Sequence, residues 1–186
     1  MAPLSRLAAG LIALACLSSA AHAAVTKVPH RTAACEKAKD GWCTASASDG
    51  SFRVSMPMPF NEFTLLEPGA FVPRTLAMGC GTTDGIRFMA ARTFYTGGAA
   101  AARSTFDKIG VDDGKLGTVV SLKHGKVDGH DAVDFVAESD QGRLHMRTVL
   151  LGDSMIGLTA FMPPGADARY PGAVDQFIES LHVTAR

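Results

Sequence analysis

Three apolar segments separated by very short turns place the strongest constraint on how this chain can fold. They span Ala132–Ser139, Arg143–Leu151 and Met155–Phe161, with turns at residues 140–142 and 152–153. Connections this short join only antiparallel neighbours, because a parallel pair needs a crossover of about a dozen residues or more. The sequence therefore predicts an antiparallel meander in its second half.

Alternation of apolar and polar residues predicts further strands upstream of this meander. They are expected at Phe52–Met56, Phe63–Leu65, Val72–Cys80 and Ile86–Tyr95, and the β-branched composition of Leu116–Lys123 predicts one more. A period of two places every second side chain on the same face, so each of these strands has one face suited to burial.

Two segments carry apolar residues at helical spacing and are predicted to pack on the sheet. In the first, Ala99–Ile109, the inward positions are Ala102, Phe106 and Ile109. The second begins at a capping residue, Asp167. Its apolar stripe contains Tyr170, Val174, Phe177, Ile178 and Leu181. Because both stripes require burial, the predicted fold class is α+β: an antiparallel β-sheet of about seven or eight strands flanked by two main helices.

The segment from Met1 to Ala23 predicts a cleavable signal peptide. Arg6 precedes an unbroken run of apolar residues and glycine, Leu7–Leu17, which is too short to span a bilayer. Small residues at Ala21 and Ala23 suit a signal peptidase, so we expect cleavage before Ala24 and a periplasmic or secreted protein.

A lipid anchor at Cys16 is the alternative interpretation of the same segment. Bacterial lipoproteins are cut immediately before a cysteine, and a branched apolar residue normally stands three positions earlier. That position is Ala13 here, with Leu14 one place too late. Cleavage before Ala24 therefore fits the residues better.

Without its leader the chain spans residues 24–186, a length typical of one domain. We expect residues 24–49 to form a polar lead-in segment and residues 50–186 to form a single α+β domain. The remaining 17 basic and 18 acidic side chains nearly balance and form no basic stripe. Nucleic-acid binding is therefore not expected, and no further segment predicts a transmembrane anchor.

Three cysteines follow the leader: Cys35, Cys43 and Cys80. In an oxidising compartment one pair is expected to form a disulfide and the third cysteine to stay free. The flexible nine-residue segment from Cys35 to Cys43 favours that pair, with a stabilisation of about 2.5 kcal/mol. A bridge from Cys80 to either of them is the alternative. The spacing matches no zinc pattern.

The two ends of the predicted domain resemble PsbP-like proteins. The sequence FRVSMP, Phe52–Pro57, is similar to the Phe-x-Val-x-x-Pro opening of that family, and FIESL, Phe177–Leu181, is similar to its closing helix. The resemblance covers about residues 50–183 and implies a sandwich-like fold with helices on both sides of the sheet. It implies no activity and no site residues, but PsbP-like proteins are best known as accessory proteins that bind other proteins.

The segment GHDAVD, Gly129–Asp134, holds the best candidate for acid–base chemistry. It contains His130, Asp131 and Asp134. Strand alternation directs Asp131 and Asp134 to opposite faces, and no G-x-S-x-G motif supplies a nucleophile. A polar turn followed by a strand is therefore the interpretation we favour.

Sulfur and arginine side chains suggest other sites. A nucleophilic thiol at Cys80 has no nearby cation in the sequence. Thioethers bind cuprous ions, and the candidate copper ligands are Met56, Met58, Met78, Met89, His145 and Met146, but their spacing favours core packing. The strand residues Arg87, Arg92, Arg143 and Arg147 suggest a solvated sheet face. No cofactor is predicted.

These features together predict a non-enzymatic accessory or binding protein of the bacterial cell envelope, whose partner is an envelope protein or another protein. A small periplasmic hydrolase and a binder of metals or small molecules remain as alternatives. A pocket that gathers His130, Asp131, Asp134 and Cys80 would favour chemistry, whereas a broad exposed apolar patch would favour a partner.

Overall fold

The computed structural model describes residues 26–33, 40–66, 75–111 and 116–184. This part of the chain contains eleven strands: β1 Thr26–Ala33, β2 Trp42–Ser46, β3 Phe52–Pro57, β4 Phe60–Leu66, β5 Thr75–Gly81, β6 Arg87–Phe94, β7 Thr118–Val127, β8 His130–Ser139, β9 Gly142–Leu151, β10 Ser154–Met162 and β11 His182–Val183. Its three helices are α1 Gly98–Phe106, α2 Ala166–Arg169 and α3 Ala173–Glu179. None of these helices is long and apolar enough to cross a membrane.

Eight strands form one antiparallel sheet in the order β1-β4-β5-β6-β10-β9-β8-β7. The predicted meander corresponds to β8 to β10, and β7 extends it as the last strand of this half of the sheet. Strands β4 to β6 form a second meander. The two halves meet where β6 pairs with β10, with Phe88 opposite Ala160. The remaining strands form a small sheet in the order β11-β3-β2. The prediction of an antiparallel α+β fold is confirmed.

Opposite faces of the large sheet are buried by different elements. On one face the small sheet and α3 enclose a core that includes Phe52, Met56, Phe88, Leu158 and Phe177. On the other face, residues of α1 pack over the β8–β10 region. This second core includes Ala102, Phe106, Phe135, Leu150 and Met155. The large sheet therefore lies between two layers, as the sandwich-like prediction requires.

Two strands come from the segment that the sequence suggested was a polar lead-in. Strand β1 pairs with β4 at one edge of the large sheet. Strand β2 pairs with β3 and buries Cys43 and Ala45. The ring of Trp42 meets Phe88 edge to face, with centroids 5.5 Å apart. The buried positions of β2 carry small side chains, so its alternation gives only a weak hydropathy signal in the sequence.

The predicted closing helix is two short helices rather than one. Pro171 lacks an amide proton and disfavours helical geometry at the residue before it, and Gly172 has a φ of 75° that breaks the helix. Tyr170, which was expected in the apolar stripe, is consequently exposed. The predicted cap at Asp167 is also wrong, since Gly165 occupies the N-cap of α2. Burial of Phe177, Ile178 and Leu181 is as predicted.

Candidate functional site

The three residues of the predicted polar cluster are divided between two faces of the large sheet. Asp131 and His130, at the start of β8, both line a shallow cleft beside α1. Asp134 lies on the opposite face of β8, across from Arg147 of β9. Cys80 lies on β5 and lines no part of this cleft. The structure therefore brings together His130 and Asp131 and separates both from Asp134.

The cleft beside α1 has a volume of about 370 Å³. The carboxylate of Asp131 lines it and is paired with two cationic side chains. Asp131 accepts hydrogen bonds from Arg103 Nη2 at 2.8 Å and from Lys126 Nζ at 3.1 Å. The hydrogen bond from Arg103, followed by the contact with Lys126, lowers the pKa of Asp131 below its ordinary value. A carboxylate with a lowered pKa is a weak proton acceptor.

On the opposite face, Arg147 forms the most highly connected polar centre in the described structure. Its Nε donates to Asp134 Oδ1 at 2.7 Å and its Nη2 donates to Asp134 Oδ2 at 2.8 Å. Nη2 and Nη1 also donate to Glu179 Oε1 at 2.7 Å and Oε2 at 3.1 Å. A further bond runs from Nη1 to the carbonyl oxygen of Ile178 at 3.0 Å. All five N–H groups of a guanidinium therefore have an acceptor.

This arrangement, which we call the Arg147 clamp, joins β8, β9 and α3. The Arg147 side chain is only 12% exposed. The hydrogen bond to Asp134 raises the pKa of Arg147 further above its ordinary value, and the bond to Glu179 contributes in the same direction. With every donor occupied by the protein, the clamp holds α3 on the sheet. The expected solvated face is therefore wrong for Arg147.

Arg92 departs from the solvated-face prediction in a similar way. Its Nε donates to Ser154 Oγ at 3.1 Å and its Nη1 donates to Asp49 Oδ2 at the same distance. The guanidinium also stacks over the Phe94 ring, 4.5 Å from the centroid. By contrast, Arg87 is exposed and Arg143 is half exposed beside Glu138, as the prediction requires.

The sulfur side chains of the copper hypothesis are distributed among separate cores. Met56 and Met78 lie in the core beneath the small sheet, and Cys80 packs against that core with its Sγ 4.0 Å from Met56 Sδ. Met146 packs in the core under α1, whereas Met89 belongs to a third cluster on the same face. Within the described ranges, no group of three or more His, Cys, Asp or Glu side chains is placed to hold a metal ion.

Of Cys35, Cys43 and Cys80, the described residues include the last two. Cys43 is buried in β2 opposite Met56. Cys35 lies outside the described residues, so the proposed Cys35–Cys43 disulfide remains a prediction. Cys80 is partly buried, and this burial raises the pKa of its thiol to about 11.

We expect Cys80 to react slowly with alkylating agents in the folded protein. At pH 8, raising the pKa from 9.0 to about 11 lowers the thiolate fraction about 100-fold. Iodoacetamide labelling followed by peptide mapping measures the rate at Cys80, with the urea-unfolded protein as the reference. Equal rates in the folded and unfolded protein would contradict the prediction.

Exposed apolar side chains concentrate on β7, a feature that the sequence did not reveal. Val119, Val120 and Leu122 are 38–47% exposed, and Val111 just upstream is 75% exposed. The β-branched composition of this segment predicted a strand but not its position at the edge of the sheet. Its neighbours in space come from residues after it, which local periodicity does not identify.

A solved structure shares this arrangement of strands and helices. The solution structure of cyanobacterial PsbP (CyanoP) from Synechocystis sp. PCC 6803 gives a TM-score of 0.50 at 11% sequence identity, covering 81% of this chain and 97% of that protein. A crystal structure from Bacteroides thetaiotaomicron gives a TM-score of 0.38 at 12% identity, covering 75% of this chain and 47% of that one. No protein-family profile and no curated protein sequence matches the chain.

The chain therefore has a PsbP-like fold, and the resemblance predicted from the sequence is confirmed at the level of the fold. At 11% identity the likeness concerns the arrangement of strands and helices. It transfers no partner, ligand or site residue to this chain.

Proposed function

We propose that this protein is an exported, non-enzymatic accessory protein of the bacterial cell envelope that acts by binding a protein partner. The main support is that the protein exposes apolar side chains, whereas its candidate catalytic carboxylates are paired with basic side chains of the protein itself. Apolar side chains are exposed along β7, whereas Asp131 is held by Arg103 and Lys126, and Asp134 is held by Arg147. Exposed apolar surface commonly marks a contact site, and the held carboxylates have structural partners.

Affinity capture from a cell-envelope extract tests this proposal. The purified protein is immobilised, and proteins retained from the extract are identified by mass spectrometry with and without an excess of untagged competitor. We expect one protein to be retained, displaced by the competitor, and to capture this protein in the reciprocal experiment. If the competitor displaces no retained protein and a small molecule copurifies with the immobilised protein, the alternative of a ligand-binding protein would be favoured.

Export is proposed from the leader, which lies outside the described residues. We expect the mature protein to begin at Ala24, because Ala21 and Ala23 suit signal peptidase. Intact-mass measurement of protein recovered from a periplasmic fraction gives the answer directly. A lipid-modified N-terminus at Cys16, or a chain that keeps residues 1–23, would rule out this cleavage.

An oxidising compartment also predicts the state of the cysteines. We expect Cys35 and Cys43 to form a disulfide in the exported protein and Cys80 to remain a thiol. Peptide mapping without reduction, after alkylation in denaturant, distinguishes this pairing from the alternatives. A peptide that links Cys80 to either of the other two would disprove the assignment.

A further inference from the structure

We propose that β7 is a docking edge that accepts an extended, acidic segment of a partner protein as an additional strand of the large sheet. This inference rests on the proposed function and specifies the chemistry of the partner. It is carried by three properties of Thr118–Val127: its position in the sheet, its apolar side chains and its charge.

The position of β7 leaves one side of its backbone available. It is the last strand of the eight-stranded sheet and, within the ranges that the structure describes, it pairs only with β8. It has ten residues, about 33 Å at the usual rise per residue, which is long for an edge strand. An added strand could therefore form main-chain hydrogen bonds along β7, as in other cases of strand addition.

The apolar side chains of β7 continue an existing core. Val119 and Leu122 pair with Ala137 and Phe135 of β8 and share their face, which α1 covers. Leu122 also lies against the turn after α1, since a Cβ at Gly110 would stand only 2.8 Å from it. Apolar residues on an incoming strand would lie beside Val119 and Leu122 and extend this core.

The charge of β7 selects an acidic occupant. The strand contains Lys123, His124 and Lys126 and no carboxylate. Lys123 pairs in register with Asp134, but both oxygens of Asp134 accept from Arg147, and Lys123 forms no ion pair with any residue in the described ranges. A glutamate or aspartate beside Lys123 on the incoming strand would supply the complementary charge.

A second copy of this chain fits the edge less well. Pairing two β7 strands would bring together cationic segments that have no carboxylate of their own. Lysines are a common means of preventing edge strands from pairing with one another. The positive charge of β7 therefore favours an acidic segment of a different protein as the occupant.

Binding of a designed peptide tests the proposal. The probe is a short peptide, matched to β7 in length, that alternates valine and glutamate, which places valine on the face of Leu122 and glutamate on the face of Lys123. We expect it to bind the purified protein and to slow amide hydrogen exchange in β7. A peptide with lysine in place of glutamate should bind at least about tenfold more weakly.

Lys123→Glu should weaken binding of the valine–glutamate peptide about tenfold or more, whereas Arg53→Glu, an equivalent charge reversal at an exposed position of β3, should not. Equal binding of both peptides, equal effects of both variants, or no protection of β7 would overturn the proposal. So would a dimer, detected by sedimentation, that requires β7. If envelope capture retains the same protein with wild type and Lys123→Glu, the proposed function stands and this docking edge does not.

Discussion

Phe177→Ala is expected to lower the free energy of unfolding by about 3–5 kcal/mol, a large part of the roughly 5–15 kcal/mol typical of a domain. The Phe177 ring on α3 is fully buried. It meets Phe88 edge to face, with centroids 5.2 Å apart, in the core between α3 and the sheet. Truncation removes this contact and leaves a cavity in the core that α3 shares with both sheets. Urea unfolding measures the loss.

Gln176→Ala is the matched control, because Gln176 is the exposed neighbour on α3 and should change stability by less than about 0.5 kcal/mol. Glu179 is exposed on α3, but it is not a neutral control, since both of its oxygens accept from Arg147. If Phe177→Ala and Gln176→Ala unfold alike, α3 does not stabilise the sheet as described.

The Arg147 clamp provides the second large effect. Arg147→Ala should cost about 2–3 kcal/mol, below the roughly 3–5 kcal/mol typical when one partner of a fully buried ion pair is removed. The reduction reflects the exposure of the two acidic side chains, 29% for Asp134 and 68% for Glu179. Arg147→Lys should recover only part of the loss, because an ammonium group has three donors and cannot form paired bonds with two carboxylates.

Arg143→Ala is the control for the clamp. Arg143 lies on the same face of β9, but its ion pair with Glu138 measures 3.7 Å and both side chains are half exposed. Exposed pairs contribute little, so this variant should lose less than about 0.5 kcal/mol. Thermal or urea unfolding of the three arginine variants separates the two sites, and equal losses at positions 143 and 147 would contradict the clamp.

The fold could be predicted from the sequence wherever one residue pattern determined one element. The meander of β8 to β10 follows from short turns, and the burial of Phe177 and Ile178 follows from helical spacing. Strands β1 and β2 lie in a segment whose polar composition hid them, because they are stabilised by pairing with distant strands. The break before α3 depends on Pro171, which is visible in the sequence. The prediction followed the apolar stripe instead and therefore gave one continuous helix.

The polar centres were less predictable than the strands. Opposite orientations of Asp131 and Asp134 follow from alternation and were predicted. The Arg147 clamp was not, because it joins β8, β9 and α3, whose relation depends on the complete fold. Exposure along β7 also depends on sheet order, since Val119 and Leu122 would suit a buried strand equally well.

The pairing of β6 with β10 has a consequence for how the chain reaches its native state. Phe94 pairs with Ser154 and Arg87 with Phe161, so this pairing closes a loop that contains α1 and the whole of β7 to β9, whereas the strands within each meander are joined by local connections. Closing such a loop costs about 2.5 kcal/mol more in chain entropy than closing a four-residue turn. The two meanders are therefore expected to form early and independently, and their joining at β6 and β10 to limit the folding rate.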